Sequence, residues 1–503
     1  MFSGVFVHGK SFFSTRNLGR EMYSHRKKTL QTEMALFEFK HPFGTTLDPE
    51  NRWVRLATLV PWDTVEDEYS GHFGVSGNDA YPVRMALGAL IIKERLRLTD
   101  EETVAQIREN PYLQYFIGMQ EYSTKQPFDP SLMVHFRSRI SAEMLLRVNE
   151  AVCVSKKTAE KKDTDGNEPP SNTGKLIIDA TCAPEDMRHP TDLGLLNDAR
   201  EHTERVIDGL WAAGEQGGRK PRTYRQKARR QYLKAIRCRK PSARHLRKGI
   251  RQQLGFVKRN LRTIKKMSDG VPLSVLPHQD YKKLVVTSEV YRQQSELYRM
   301  LGTDHRRIDD RIVSLSKPHV RPIVRGKASA DVEFGAKLSV SVIEGKTYLD
   351  RISWDAYNEG GDLQIQAEAF KARTGAYPES IHADKAYRTR ENLRWCRENK
   401  VRLSGPPLGR PLVVEEDQAL RRKQQRIDEL IRIEVEGRFG TAKRRYCLDK
   451  IMTKLRGTSE TTIALIFLVM NLDKILRDLL LSLLEWLSSR SGYSIESALS
   501  SAI

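Results

Sequence analysis

The chain has 503 residues, with 85 Lys and Arg against 64 Asp and Glu, and carries a formal net charge of +21. That length provides for two to four folding units with ample core, while 39% hydrophobic and 30% charged residues exclude a polytopic membrane protein and any collagen-like or simple-repeat chain. Five scattered cysteines without a CxxC pair speak against a disulfide framework or zinc ribbon and for a reducing compartment, and the positive excess favours a polyanionic partner.

Residues 1–34 are rich in Arg, Lys and His, with a first acid at Glu21. This composition suits a disordered basic tail, a transit peptide, or sequence lying ahead of a later start at Met22 or Met34. Residues 35–155 read as a compact helical domain. Pro82–Leu98 carries an apolar stripe, Thr99-Asp100 begins a helix with capping-box character, and SLMVHFRSRIS gives a further amphipathic helix. Short helices with basic faces suit a helix-turn-helix-like DNA-binding module, and a generic helical bundle fits the same pattern. Residues 156–174, polar with Gly and Pro, form the clearest linker.

KLIIDATCAP then predicts a buried strand with Asp179 near its carboxyl end. The segment 201–270 follows, with 21 Lys and Arg and only 5 Asp and Glu. Leu233, Ile236, Leu246, Ile250, Leu254, Val257, Leu261 and Ile264 recur in it at three- and four-residue spacings, as in basic amphipathic helices interrupted at Pro241. So few acids favour phosphate contact over a solvated hairpin, with Arg225, Arg229, Arg230 and Lys234 as candidate DNA contacts. Scarce aromatics disfavour a membrane-surface helix. The alternation around Glu344-Gly345 predicts a hairpin. A helix over LQIQAEAFKARTG, a short strand ending in Asp384, the helix ENLRWCRENK, the strand VRLSG and a long helix from about Glu415 to Arg444 complete the pattern. IALIFLVM is too short to span a bilayer, which assigns the final helices to core or dimer surface. The expected architecture is a mixed sheet with helices on its faces and a large helical insertion after the first strand.

Two strand-end acids, Asp179 and Asp384, are candidates because ligands of open α/β sheets bind near such ends. A third acid, Glu436, shares a helical face with Arg432 and Lys443, beside an apolar stripe of Val435, Phe439 and Ala442. Taken singly, each Asp also suits a capping role, and Arg432–Glu436 an ordinary exposed pair. Together they suit phosphodiester chemistry: hard divalent cations take oxygen ligands, and two Mg²⁺ roughly 3.5–4 Å apart activate water and stabilise attacking and leaving oxygens.

IIDAT, HADKAY and the Arg432–Glu436–Lys443 spacing resemble the three blocks of bacterial insertion-sequence transposases of the DDE class, within the superfamily that has an Arg–Glu–Lys signature helix. The region YPVRMALGALIIKERLRLTDEE to DPSLMVHFRSRI is similar to that superfamily's amino-terminal helical domain, so the likeness spans roughly residues 50–480. The resemblance implies an RNase H-like catalytic domain over 175–480 with the basic insertion at about 190–320 and a tail at 481–503. It implies Asp179, Asp384 and Glu436 as catalytic ligands of two Mg²⁺ (or Mn²⁺), with Arg432 and Lys443 against DNA. It further implies double-stranded DNA partners (terminal inverted repeats and target), a homodimer, no membrane association, and a bacterial cytoplasmic, nucleoid-associated location. One departure is Glu429, where the superfamily often has Tyr. A catalytically silent, transposase-derived DNA-binding protein is the alternative, and a structure-specific nuclease a third reading. Beside the blocks, Lys385 and Tyr387 are candidate DNA contacts, and His382 suits a packed, hydrogen-bonded role better than contact with the scissile phosphate. Cys182 reads as a small buried residue, and Trp354 and Trp395 as core.

Overall fold

A computed structural model of the chain describes residues 39–41, 44–74, 79–153, 171–214, 219–301, 308–327, 330–406 and 415–491. The expected tail at 1–34, and all of the expected linker up to residue 170, lie outside these. The chain divides into two compact units, Met1–Cys153 with Leu472–Ile503, and Val154–Asn471.

The first unit is helical: α1 (Arg52–Leu59), α2 (Glu66–Ser70), α3 (Val83–Leu96), α4 (Asp100–Glu109), α5 (Pro111–Phe116), α6 (Leu132–Arg139) and α7 (Ala142–Cys153). Thr99 caps α4 through a capping box with Glu102. Helix α3 is buried on more than a stripe, from Val83 to Ile92 with one half-buried position at Met85. Even Arg84 is inside, donating to the carbonyls of Phe116 (3.1 Å) and Tyr115 (2.9 Å). Its guanidinium lies over the Trp62 ring, which lowers the cost of burying the charge.

The second unit holds a six-stranded sheet: β1 (Lys175–Pro184), β2 (Arg321–Lys327), β3 (Ala330–Ile343), β4 (Lys346–Ser353), β5 (Ser380–His382) and β6 (Arg402–Leu403). The central β1 runs antiparallel to β3 and parallel to β5, which is parallel to β6. The β3–β4 hairpin turns at Glu344 and Gly345, both at positive φ (48° and 73°), as a tight turn between twisted strands requires. Where β3 crosses the end of β1, a Cβ on Gly335 would meet the Ala183 carbonyl oxygen at 2.0 Å, so only glycine permits that pairing. Strand β2, absent from the periodicity reading, pairs with the first half of β3.

Helices α8 (Asp192–Ala213), α9 (Arg225–Ile236), α10 (Ala243–Ser268) and α11 (His278–Arg299) lie between β1 and β2. Ile250, Leu254, Val257 and Ile264 of α10 pack on α8 and α11. Ile236 and Leu246 depart from the expected stripe and are exposed, at the end of α9 and in the first turn of α10. Helices α12 (Leu363–Thr374) and α13 (Arg390–Glu398) precede α14 (Glu415–Tyr446), which buries Val435, Phe439 and Ala442 as the spacing predicts and packs across β1, β3 and β5. The last helix, α15 (Arg456–Ser491), buries all of IALIFLVM and continues well past residue 481, into the stretch expected to be a tail. Among the described residues no helix is long and apolar enough to cross a membrane.

Candidate active site

Strand pairing brings two of the acids together. Ile177 of β1 stands opposite His382 of β5 in parallel register, and Asp179 and Asp384 each lie two residues further on. Asp179 is mid-strand rather than terminal, because Ala180–Pro184 continue the pairing with β3, but the parallel neighbour stops before it. Both acids therefore open onto the space where β5 has ended.

The third acid comes from α14. Asp179, Asp384, Glu436, Arg432 and Lys443 line one cavity of about 630 Å³, together with Lys337 of β3 and Glu359. An Arg432 Nη lies 3.7 Å from an Asp384 oxygen and 3.9 Å from Glu436 Oε1, so one guanidinium is shared between two acids. Asp384 and Glu436 are about half exposed to the cavity, at 48% and 62%. Asp179 lies deeper, and its carboxylate accepts a hydrogen bond from the Ala180 amide (2.7 Å). Burial pushes its pKa up to about 6; the Ala180 bond and Arg432 oppose the rise, and Glu359 and Asp384 add to it.

Glu359 was not singled out from the sequence. It opens a 3-10 turn, Glu359–Asp362, and pairs with Lys337 Nζ at 2.8 Å. Its sequence signal is only an acid in the turn-forming run NEGGD, and the β3 register that brings Lys337 to it is not readable locally.

Other candidates fall elsewhere. His382 is fully buried, its Nε2 3.0 Å from the Ser380 hydroxyl and its Nδ1 3.4 Å from Asp428, as the packed reading expects. Tyr387 is fully buried and cannot reach DNA, whereas Lys385 is exposed. Cys182 is buried in β1, Trp354 is core, and Trp395 is half-buried with its edge against Tyr377. Glu429 is exposed and accepts from Gln425 (3.0 Å). In the insertion, Arg225, Arg229, Arg230 and Lys234 are all exposed. Arg225 is held by Asp208 (2.8 Å), while the other three make no ion pair among the described residues.

The all-oxygen donor set suits a hard divalent cation, and an acid of raised pKa among other acids is a group that a cation would relieve. Among the described residues no three His, Cys, Asp or Glu side chains approach closely enough to hold a metal ion. The Arg432 guanidinium lies within 4 Å of both Asp384 and Glu436 and offsets their charge. The residues fit the group in the chemistry of their donors.

An acid-lined cavity beside the ends of parallel strands, in a chain with a strongly basic helical insertion, defines a class of α/β proteins suited to phosphate chemistry. Comparison with known families is more specific: residues 381–473 match the family described as "Transposase DDE domain", and residues 42–139 match "Transposase domain (DUF772)". In this order the two matches support a likeness to insertion-sequence DDE transposases with their N-terminal domain. The first match includes Asp384, Arg432, Glu436 and Lys443; Asp179 lies before it and joins the group through strand pairing. A curated relative, "Uncharacterized protein ORF8 in nfe locus" of Rhizobium meliloti, is 29% identical over 154 residues, 31% of this chain and 72% of that protein. No solved structure matches.

Proposed function

We propose that this protein is a transposase that cleaves the ends of an insertion sequence and joins the resulting 3′-OH to target DNA within the cavity between β1, β5 and α14. The observation that carries this reading is the meeting of Asp179, Asp384 and Glu436 in one cavity, from three segments far apart in the chain. The strand order supports an RNase H-like fold: β4, β3 and β1 are antiparallel, then β5 and β6 add in parallel on the other side of β1.

Asp179, Asp384 and Glu436 would hold two Mg²⁺ (or Mn²⁺). When bound, such ions lower the pKa of water and stabilise charge on attacking and leaving oxygens. Arg432 and Lys443, on the same face of α14, supply positive charge along the cavity wall for the flanking phosphates. Lys385, exposed just after Asp384, extends that charge. Attack by a free hydroxyl needs no covalent protein intermediate and no ATP. The helices of the first unit would recognise terminal inverted repeats, and the insertion, through Arg229, Arg230 and Lys234, would bind backbone phosphates. Holding two ends at once calls for a homodimer, working in the bacterial cytoplasm at the nucleoid.

Asp384→Asn and Glu436→Gln should each lower nicking of a cognate end in Mg²⁺ by about 10²–10³-fold or more, with specific end binding retained in gel-shift assays. Variants that still cut would overturn the site. A wild-type chain that shifts cognate ends but never nicks them would be the silent DNA-binding descendant, and cutting without strand joining would be a nuclease.

A further inference from the structure

The cavity holds one more acid than the proposed reaction uses. Glu359 stands on its wall, and the fold spends several specific contacts on keeping it there. A Cβ on Gly360 would meet the Ala386 carbonyl oxygen at 2.7 Å, so the Glu359–Asp362 turn approaches the turn after Asp384 as closely as only glycine allows. The Asn392 amide ties the two turns together, donating to the carbonyls of Gly360 (2.7 Å) and Tyr387 (2.8 Å). Glu359 is thereby fixed against the loop that carries Asp384.

We propose that Glu359 is a fourth carboxylate of the divalent-cation site, and that Lys337 is its resident counter-ion, as Arg432 is for Asp384 and Glu436. The inference rests on the reading of the cavity as a cation site. Lys337 Nζ lies 2.8 Å from Glu359 and also donates to the Tyr357 carbonyl at 2.9 Å, so the ammonium keeps an anchor when the carboxylate turns to a cation.

One further observation supports this. Behind the cavity, the buried Tyr387 hydroxyl has no hydrogen-bond partner among the described residues. It lies in the turn after Asp384, which Asn392 ties to the Glu359 turn. Unmatched buried donors are costly in a finished structure and informative where a site must rearrange.

Mn²⁺ titrations of the full chain, followed by electron paramagnetic resonance, test the proposal. Glu359→Gln should weaken Mn²⁺ binding about tenfold without changing the metal-free circular dichroism. Lys337→Gln, which removes the competing ammonium, should tighten binding several-fold. Unchanged affinity in Glu359→Gln, with weakened affinity in Asp384→Asn, overturns the role of Glu359 and leaves the cation site standing. If Asp384→Asn also binds Mn²⁺ as tightly as the wild type, the cation site itself falls. Weaker or unchanged binding in Lys337→Gln rules out the counter-ion role, and serves as the deciding measurement should Glu359→Gln not fold.

Discussion

Two groups of charges lie two turns apart on α14, and they are built on opposite principles. Asp428 is buried, takes two hydrogen bonds from Arg402 (2.8 and 2.9 Å) and a third from Gln424 (3.1 Å), and lies against the His382 ring. Its pKa is lowered: burial pushes upward, and the Arg402 and Gln424 hydrogen bonds and the Arg402 charge outweigh it. Glu436, eight residues on, faces a cavity and shares one guanidinium with Asp384 at distances beyond hydrogen bonding. The first group is closed: its members satisfy one another and pin the helix to the strands β5 and β6. The second is loosely neutralised, as expected of side chains whose full set of partners comes from outside. Composition does not separate the two, since both pair acids with arginine; satisfaction does.

The strongest way to break this comparison is to open the closed group. Asp428→Ala leaves the Arg402 guanidinium and the buried His382 without their acid, and should cost about 2 kcal/mol, read as a lower denaturant midpoint for the unit that holds the sheet. Emptying the open group in the same way, by Glu436→Gln, should leave that midpoint nearly unchanged. Equal losses would mean that the Glu436 side of α14 is structural too.

The second test is of opposite sign. Asp179 carries a pKa raised to about 6 against an ordinary 3.8. An acid with a raised folded-state pKa lowers stability once ionised: the penalty is absent below about pH 4, grows between 4 and 6, and is complete above that. Asp179→Asn, in chelator, should therefore stabilise the protein at pH 7.5 by about 1–3 kcal/mol and leave it unchanged near pH 4. A destabilised variant at pH 7.5 would show that Asp179 belongs with Asp428, as a satisfied structural acid.

What the sequence made legible follows from range. The acids Asp179 and Asp384 stand out because each follows a short apolar run, and Arg432, Glu436 and Lys443 because helical period places them on one face. Local rules also give the Glu344-Gly345 hairpin and the α4 cap. Glu359 was not legible, because its place depends on Gly360 touching a turn 26 residues away and on the register that delivers Lys337. Tyr387 was misread as a surface contact because its burial comes from the packing of two turns rather than from any periodicity. Strand β2 was missed because RPIVRGK has few alternating positions and gains its structure from pairing with β3.

The comparison extends to the insertion, where the expected effect per residue is smallest. Arg225 belongs with the closed kind: Asp208 already holds it, and Lys220 shares the same acid (2.7 Å). Arg229, Arg230 and Lys234 are exposed on the same helix without an ion pair among the described residues, so their charge is available to phosphates. Each phosphate that such a charge neutralises steepens the dependence of log affinity on log salt by about 0.9. Replacing the three by Gln should flatten that slope by about 2 to 3 and weaken binding alike on cognate and unrelated DNA. Arg225→Gln, which breaks an exposed pair worth about 0–1 kcal/mol, should change the slope much less. If both substitutions flatten it equally per charge, Asp208 releases Arg225 on binding and the division between closed and open charges does not hold in this domain; if neither does, the basic helices serve solubility alone.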